Sequence, residues 1–507
     1  MFPRRGATVR PKLNRVQQDA MRKKILYAAG FSGVVMQCLL SAGCDGAQGP
    51  SMEKVRLVDV IPKELSGEIR QDREPNLAVD PRDPRRMVLS ALTPCPRFIS
   101  TTNAPIYVST DSGDTWLTNC IVPGNDPDYG THDITVRFAS SGGILYAGAI
   151  NGSSGEMNIL RTTDFTSPTL MSVLLSRGSE DQPYTEAFSY QGDRVYVGNN
   201  NLANSSGQTA MVDWSLDAAS GQPLAGFATN TIEVRQTCVR DLASVRPAIH
   251  KGGTVYVAFL GTEPGPACPS SYTANVVVVR DDHWGSGGFG ALTDKDGMKG
   301  IHVATGLAMP LDGWLGQQRV GSQLSLAVDP TNSRIVYVAW GDSLNANFTL
   351  HVRNSIDGGK TWGTIDLKTV PSATNPSLAI NEEGTVGFLY QKLVNPGTCI
   401  GHDGFGCWET HFEFGKGTNW HDLPHPLSNT PDSLGTNPLG DYDNVLAIGK
   451  KFYGAFSANN YPDSRNFYPG VKFQRYVDWN VHKLFADAAQ TVMVDPSIDP
   501  FEFAVEK

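Results

Sequence analysis

A pair of short strands recurs seven times along most of this chain. Each copy begins with an apolar strand, continues through a turn rich in Gly, Asn, Asp or Pro, and ends with a strand of β-branched, aromatic and small residues. The copies lie at Glu74–Leu92, Asp133–Ile150, Asp181–Asn200, Arg246–Gly261, Ser325–Asp342, Asn375–Gln391 and Asp443–Asn460. Further strands follow most copies, so the repeating unit is an antiparallel sheet of about four strands. Such sheets bury their faces by stacking around an axis, which predicts an all-β fold, a β-propeller of about seven four-stranded blades, with six as the alternative.

The composition agrees with many short strands joined by tight turns. The 507 residues include 52 Gly and 32 Pro, and only 18% of them are charged. The formal net charge of −9 provides no basic surface for nucleic acid or anionic lipid, so we expect no nucleic-acid partner.

An octapeptide of the form S-x-D-x-G-x-T-W occurs twice, at Ser109–Trp116 and Ser355–Trp362. It falls where a hairpin joins the third and fourth strands of a blade. The aspartates accept backbone hydrogen bonds across the turn, the glycines supply a positive φ, and the tryptophans begin the outer strand. The residues predicted to have this structural role are Asp111, Gly113, Trp116, Asp357, Gly359 and Trp362.

The octapeptide resembles the Asp box, or BNR repeat, of the sialidase-like β-propellers, and the strand pairs resemble the inner strands of that superfamily. The resemblance implies a ring with the Asp-box hairpins on one face. Sialidases have six blades, whereas seven inner pairs are counted here. We expect the strand Lys54–Ile61 to complete the last blade and close the ring.

Residues 1–44 are predicted to be an export leader. Three cations follow Met21, an apolar run extends from Ile25 to Ala42, and small residues precede Cys44. This pattern resembles a bacterial lipoprotein signal, which implies a lipid anchor on Cys44. Ordinary cleavage and an uncleaved anchor remain alternatives, and either Met1 or Met21 is the start. We therefore expect a protein of the cell envelope, lipid-anchored or secreted, in which residues 45–73 form a linker with the closing strand and residues 74–507 form one propeller.

Export determines how the cysteines are interpreted, because disulfides persist in oxidising compartments. The predicted neighbouring pairs are Cys95–Cys120, Cys238–Cys268 and Cys399–Cys407. The last pair also falls within a zinc-like spacing with His402 and His411, although a disulfide hairpin is favoured. The segment Asn459–Asn466, with Asp463, suits either a structural calcium ion or a plain polar loop. No other metal or cofactor is expected.

The innermost strands of a propeller converge on a central channel, so polar residues at their starts meet at one mouth. Those residues are Arg73, Glu74, His132, Asp133, Glu180, Asp181, Gln182, Arg246, Arg319, Ser322, Gln323, Asn375, Asp441 and Tyr442. The alternative is that they merely end strands at an exposed rim.

The sialidase resemblance implies roles for some of these residues. It implies an arginine triad of Arg73, Arg246 and Arg319 that binds a substrate carboxylate, with Asp441 beside it. It implies a Tyr442 nucleophile with Glu74 or Glu409 as its base, and Asp133 or Asp181 as acid/base. The Arg-Ile-Pro motif of the family is absent, since the corresponding stretch reads DREPNL.

Two classes of function follow. The first is an exported, monomeric propeller that acts on a glycan or another anionic extracellular ligand at the mouth as a glycoside hydrolase, either sialidase-like or an inverting two-carboxylate enzyme. The second is a non-catalytic propeller scaffold that binds carbohydrate or protein.

Overall fold

A computed structural model of the chain describes residues 53–220, 226–237, 240–262, 272–309, 324–343, 348–394, 407–431 and 439–506. The helices among them are three short 3-10 turns, at Lys63–Leu65, Ala218–Ser220 and Ser464–Asn466. No helix in these ranges is long and apolar enough to cross a membrane. Outside the described residues lie the leader with Cys44, Arg319, and the cysteines Cys238, Cys268 and Cys399.

Strands build seven sheets of four or five strands each, and β1 (Lys54–Asp59) belongs to the last of them. Within each of the first six sheets, consecutive strands are antiparallel neighbours. Blade one contains β2 (Arg73–Val79), β3 (Met87–Leu92), β4 (Asn103–Ser109) and β5 (Leu117–Pro123). Blade two contains β6 (Ile134–Phe138), β7 (Leu145–Ile150), β8 (Met157–Thr162) and β9 (Ser172–Arg177). Blade three contains β10 (Glu180–Ser189), β11 (Asp193–Asn201), β12 (Ala210–Ser215) and β13 (Phe227–Thr231).

The next three blades repeat this arrangement. Blade four contains β14 (Leu242–Ile249), β15 (Val255–Thr262), β16 (Tyr272–Asp281) and β17 (Ile301–Met309). Blade five contains β18 (Leu324–Val328), β19 (Val336–Asp342), β20 (Thr349–Ser355) and β21 (Lys368–Pro371). Blade six contains β22 (Ala373–Ile380), β23 (Val386–Val394), β24 (Cys407–Lys416) and β25 (Asn419–Asp422), and β26 (Ser428–Pro431) pairs with β24.

Blade seven joins the two ends of the described chain. It contains β27 (Asn444–Ile448), β28 (Lys451–Asn459) and β33 (Ile498–Glu506), followed by β1 and the short β29 (Lys472–Phe473). β1 runs antiparallel to β33, with Lys54 opposite Glu506 and Asp59 opposite Phe501. A separate three-stranded sheet, inserted before β33, contains β30 (Tyr476–Asp478), β31 (Lys483–Phe485) and β32 (Met493–Val494).

The seven first strands contact one another in a closed ring. Each of β2, β6, β10, β14, β18 and β22 packs against the first strand of the next blade, and β27 packs against β2. The predicted propeller of seven blades is therefore confirmed, and the six-blade alternative is excluded.

Short polar side chains join most blades to their neighbours at equivalent positions of the first strands. The Oδ1 atom of Asn76 accepts a hydrogen bond from the N–H of Val136 at 2.9 Å, and Oδ1 of Asn444 accepts one from Leu77 at 3.1 Å. The corresponding bonds run from Thr185 to Thr135, from Leu378 to Ser325 and from Val445 to Ser377. Five of the seven junctions thus satisfy a backbone donor that the neighbouring sheet buries.

The hydrophobic core lies between adjacent sheets. Every residue of β15 is buried, because its sheet is covered on both faces. One apolar cluster extends from blade four through blade six. Another joins blade seven to blade one, where Val58 of β1 packs near Leu77 and Trp116. The closing strand therefore contributes to the core as well as to the sheet.

The two octapeptides form the same hairpin, between β4 and β5 and between β20 and β21. In the first, Asp111 accepts hydrogen bonds from the N–H of Thr115 at 2.9 Å and from its hydroxyl at 2.6 Å. Ser109 Oγ accepts the N–H of Gly113, and the Trp116 indole donates to the Gly113 carbonyl. The second hairpin repeats each bond with Ser355, Asp357, Gly359, Thr361 and Trp362. The two central glycines, Gly113 and Gly359, have φ of 81° and 80°.

A third hairpin uses the same aspartate–threonine pair without the rest of the octapeptide. Asp487, between β31 and β32, accepts from the N–H of Thr491 at 3.1 Å and from its hydroxyl at 2.9 Å. The sequence around it lacks the Ser, Gly and Trp that identify the other two.

The cysteines follow the expected pattern where the structure describes them. Cys95 and Cys120 form a disulfide, with their Cα atoms 6.0 Å apart. Cys407 is also disulfide-bonded. The first of these bonds fixes the loop between β3 and β4 against β5.

Candidate functional site at the centre of the ring

Four of the first strands are interrupted by a bulge near their start, in blades one, three, four and six. Within each bulge one non-glycine residue has a positive φ. These residues are Glu74 (59°), Gln182 (47°), Ser244 (96°) and Asn375 (53°). Side chains resist this conformation, and bulges and positive φ values both concentrate near functional sites, where they re-aim side chains. The bulges all lie at the end of the ring opposite the octapeptide hairpins.

Two blades carry large side chains where the others carry the short polar residues that join neighbouring blades. The positions that follow the bulge in blades three and four hold Tyr184 and Arg246. The equivalent positions elsewhere hold Asn76, Thr135, Ser325, Ser377 and Asn444. The side chains of Tyr184 and Arg246 therefore extend beyond the space that a short polar side chain occupies at this position.

Glu74 is held at the centre of the ring by the segment that precedes β27. Its Oε1 accepts the N–H of Asp441 at 3.0 Å, and the Asp441 carboxylate accepts a bond from Gln182 Nε2 at 3.0 Å. Gly440 lies against it, because a Cβ at that position would be 2.3 Å from Glu74 Cγ. Burial raises the pKa of Glu74 well above its ordinary value, and the charges of Asp441 and Asp133 raise it further.

Arg246 is the buried cation of this site, with 4% of its surface exposed. Its Nε donates to the carbonyl of Leu324 at 3.2 Å, and its Nη2 donates to Ser244 Oγ at 3.2 Å. The guanidinium lies 4.5 Å from the ring centroid of Tyr184 and 5.9 Å from that of Tyr442. Burial lowers the pKa of Arg246, and the neighbouring tyrosines and carboxylates oppose that shift. Cation–π contact and nearby negative charge stabilise the buried guanidinium.

Tyr442 and Asp443 are buried next to Arg246 with their polar atoms poorly satisfied. The Tyr442 hydroxyl lies near the backbone N–H of Ile134 and forms no hydrogen bond of normal geometry within the described residues. Burial, and then the charges of Asp133 and Glu74, raise the pKa of Tyr442. Neither carboxyl oxygen of Asp443 has a side-chain partner in that same part of the chain, and burial raises the pKa of Asp443.

The structure thus places several predicted site residues in one buried polar group, which we call the central cluster. Electrostatic interactions connect its five members, Glu74, Asp133, Arg246, Asp441 and Tyr442. Arg73 lies beside the cluster and interacts with Glu74, and Asp181 precedes Gln182 in the same bulge. The chemical roles predicted for these residues stay predictions.

Two other sequence interpretations place residues elsewhere. Glu409, an alternative base for Tyr442, instead lies on β24, the third strand of blade six, and pairs with His411 at 3.0 Å. That pairing follows from strand alternation, which puts both side chains on one sheet face. The Asp463 carboxylate pairs with Arg465, with 2.5 Å to its Nη2, in the loop after β28. Within the described ranges, no group of three or more metal-binding side chains has suitable geometry.

The described residues of the cluster enclose little free space. A cavity of about 10 Å³, roughly the space of one water molecule, is lined by Tyr184, Arg246, Asn375, Asp441, Tyr442 and Asp443. Asp133 is 7% exposed and Tyr442 is 6% exposed.

Sequence reasoning missed four contributors to this site, namely Tyr184, Ser244, Gly440 and Asp443. A signal for the first was present, because aligning the seven inner strands shows a short polar residue at one position in five blades and Tyr or Arg in two. Gly440 and Asp443 flank residues that were predicted, yet their contacts depend on closure of the ring.

Comparisons with known proteins find distant structural similarity and no sequence relative. No family model matches the chain, and no curated protein matches it. Among solved structures, it is similar to the alpha-L-arabinanase of Penicillium chrysogenum, with 11% identity over 88% of this chain and 97% of that one and a TM-score of 0.40. It is also similar to the endosialidase of phage phi92, with 10% identity over 89% and 69% and a TM-score of 0.39.

A third similar structure is that of Drosophila Semaphorin 2a, with 8% identity over 76% of this chain and 74% of that one and a TM-score of 0.43. Similarity at these levels says nothing about the activity of this chain.

Proposed function

We propose that this protein is an exported propeller that hydrolyses a glycosidic bond at the central cluster. The observation that carries the proposal is the convergence of three carboxyl groups, Glu74, Asp133 and Asp441. Asp133 and Asp441 interact with Arg246, and Glu74 interacts with Arg73. Carboxyl pairs of unequal pKa are the chemical requirement for glycoside hydrolysis. The disulfide between Cys95 and Cys120 supports export, because such bonds persist outside the reducing cytoplasm.

The electrostatics favour Glu74 as the proton donor. Its raised pKa favours the protonated carboxyl, which is the form that a general acid needs when it protonates a leaving oxygen. Asp133, supplied by the neighbouring blade, is then the partner that activates water or stabilises positive charge on the sugar. Arg246, aimed by Ser244 and Leu324, orients a hydroxyl or carboxylate of the substrate.

A sialidase-like assignment uses the same residues in different roles. There Tyr442 attacks and Glu74 removes its proton, while Arg73, Arg246 and Arg319 bind the substrate carboxylate. Burial and two neighbouring carboxyls raise the pKa of Tyr442, which opposes formation of a phenolate. The two-carboxylate assignment therefore has the better physical support.

A second candidate is a non-catalytic binding propeller. The small cavity among the described residues of the cluster favours it, because about 10 Å³ does not hold a sugar ring. In that case the buried polar residues hold blades together and the ligand binds on the surrounding loops.

The test is turnover of a broad panel of aryl glycosides, sialosides and arabinosides by the purified full chain. We expect one class to be hydrolysed, and Glu74→Gln and Asp133→Asn to lower kcat at least about a hundredfold. Tyr442→Phe should cause a smaller loss if Glu74 and Asp133 do the chemistry, and a comparable loss if Tyr442 attacks.

The matched control is Asp114→Asn, which changes an exposed carboxylate paired with Lys472 on the opposite face. It should leave turnover unchanged. Absence of turnover across the panel, or equal losses in the control and the cluster variants, would refute the proposal and favour the binding propeller.

A further inference from the structure

A second cavity lies outside the central cluster, at the edge of blade one. It has a volume of about 570 Å³ and lies between the segment that precedes β2 and the loop between β3 and β4. Its lining includes Glu64, Glu68, Arg70, Arg97, Phe98 and Asn125. This volume is in the range that holds a small ligand.

The wall that carries Phe98 is fixed by covalent and hydrogen bonds. Cys95 is tied to Cys120 by the disulfide, and its N–H donates to Asn125 Oδ1 at 3.1 Å. The N–H of Ile99 donates to the carbonyl of Pro96 at 2.8 Å and closes a turn around Phe98. Phe98 is nevertheless 78% exposed. A rigid loop that presents a bare aromatic ring loses little conformational entropy when a ligand covers that ring.

The cavity opens close to the central cluster on the same face of the ring. Arg70 precedes Glu74 by four residues, so the chain itself limits their separation to about 14 Å. Asn125 likewise precedes Asp133 in the link between β5 and β6. The loop between β3 and β4 lies at the end of blade one where β2 begins, because alternate connections of an antiparallel sheet share an end.

The polar lining carries both signs of charge and mixed hydrogen-bonding groups. Two arginines, Arg70 and Arg97, and two acids, Glu64 and Glu68, line the cavity, and burial raises the pKa of Glu68 to about 7. The acids therefore offset the arginines in part, and the lining carries little net charge. Donors and acceptors around one exposed aromatic ring suit the hydroxyl groups and the C–H face of a neutral sugar.

We propose that this cavity is a subsite for a neutral sugar unit of a glycan whose chain extends to the central cluster. The inference rests on the proposed action on glycans, and it specifies a substrate of several sugar units without regular negative charge. Phe98 stacks on the sugar ring, while Arg70 and Asn125 bind its hydroxyl groups.

The experiment is calorimetric titration of the full chain with defined pentasaccharides of glucose, xylose and arabinose, and with pentagalacturonate as the anionic comparison. We expect one neutral pentasaccharide to bind and Phe98→Ala to weaken its affinity about tenfold. Phe98→Tyr should retain affinity because it preserves the ring. Ile365→Ala, which removes another highly exposed apolar side chain (82% exposed), is the control and should have no effect.

Three results would overturn the subsite: no neutral pentasaccharide binds, pentagalacturonate binds more tightly, or Phe98→Ala binds as the unaltered protein does. If the protein hydrolyses aryl glycosides but no binding depends on Phe98, the hydrolase proposal stands and the subsite is refuted. If binding depends on Phe98 but no substrate is hydrolysed, the hydrolase proposal is refuted and the subsite stands.

Discussion

Gly440 shows how one residue adapts to the geometry of the central cluster. It has a φ of 81°, and its missing side chain leaves room for Glu74, whose own φ is 59°. The two residues are far apart in sequence and meet because blade seven returns to blade one. A strained glutamate is thus retained where a glycine makes space for it.

Gly440→Ala should disrupt the cluster more than backbone strain alone explains. The new Cβ would meet Glu74 Cγ at 2.3 Å and its backbone nitrogen at 2.9 Å. Gly449→Ala is the matched control, because Gly449 also has a positive φ, 61°, but a Cβ there meets nothing within 4 Å. We expect both variants to lower the melting temperature, and Gly440→Ala to lower it by several degrees more than Gly449→Ala. The additional loss is the cost of overpacking, of order 1–3 kcal/mol in the free energy of unfolding. Equal melting temperatures would show that Glu74 does not occupy this position.

At the residue scale, the sequence predicted what short-range geometry determines. Ser109, Asp111, Gly113, Thr115 and Trp116 make their bonds within one hairpin, so their spacing alone predicts them. Asp487 uses the same bonds without the signature, and only its geometry identifies it. The positive φ of Glu74 depends on a distant chain segment, which no local pattern encodes.

Histidines in blades five and six form a repeated element that lies outside the central cluster. His351 stacks on Trp340 at 5.1 Å and lies 3.3 Å from Asp342 and 2.8 Å from Asp366. His411 stacks on Tyr390 at 5.3 Å, with Glu409 and Asp422 at 3.0 and 2.8 Å. Burial lowers both pKa values, but the paired carboxylates outweigh it and raise each to about 9.

These histidines should make stability depend on pH in a defined direction. Their pKa is higher in the folded state, so their stabilisation is complete below about 6.5, the pKa expected when unfolded, and is lost as pH rises through about 9. We expect His411→Gln to lower the melting temperature at pH 6 by more than at pH 9.5. His421→Gln, at an exposed position, is the control. If His411→Gln lowered the melting temperature equally at both pH values, His411 would not stabilise the fold through its protonated form.

At the element scale, strand pairs could be predicted and bulges could not. Alternation and turn residues located all seven pairs, because each is a local pattern. The bulges at Gln182 and Asn375 arise where inner strands crowd around the axis, so they depend on the neighbouring blades. Glu409, predicted as an alternative base for Tyr442, lies on the third strand of blade six, whereas Glu74 lies on a first strand.

Closure of the ring depends on β1, the first described strand. β1 pairs with β33 over six residues and fills the edge of blade seven, and Val58 adds to the core against blade one. Closure sets the positions of Glu74 and Asp441 relative to each other, since they belong to the first and last blades. The sequence predicted seven repeats, but the sheet β30–β32 and the cavity beside Phe98 were not predicted, because an insertion within blade seven and a loop of blade one lie outside the repeated pattern.

The central claim is that the chain closes into a ring and thereby gathers residues from distant blades. An engineered disulfide between β1 and β33 tests it most directly. Val55 lies opposite Val505, and antiparallel partners have Cα atoms about 4.5–5.5 Å apart, within the range that a disulfide spans. The control pairs Val55→Cys with Ala504→Cys, one residue out of register, where the side chains point to opposite faces.

The measurement is mass spectrometry of the linked peptides after oxidation of the double variants without reductant. The account predicts a near-complete cross-link for Val55→Cys with Val505→Cys and little for the offset pair. Equal cross-linking of both pairs, or none in either, would contradict ring closure through β1 and with it the assembly of the central cluster.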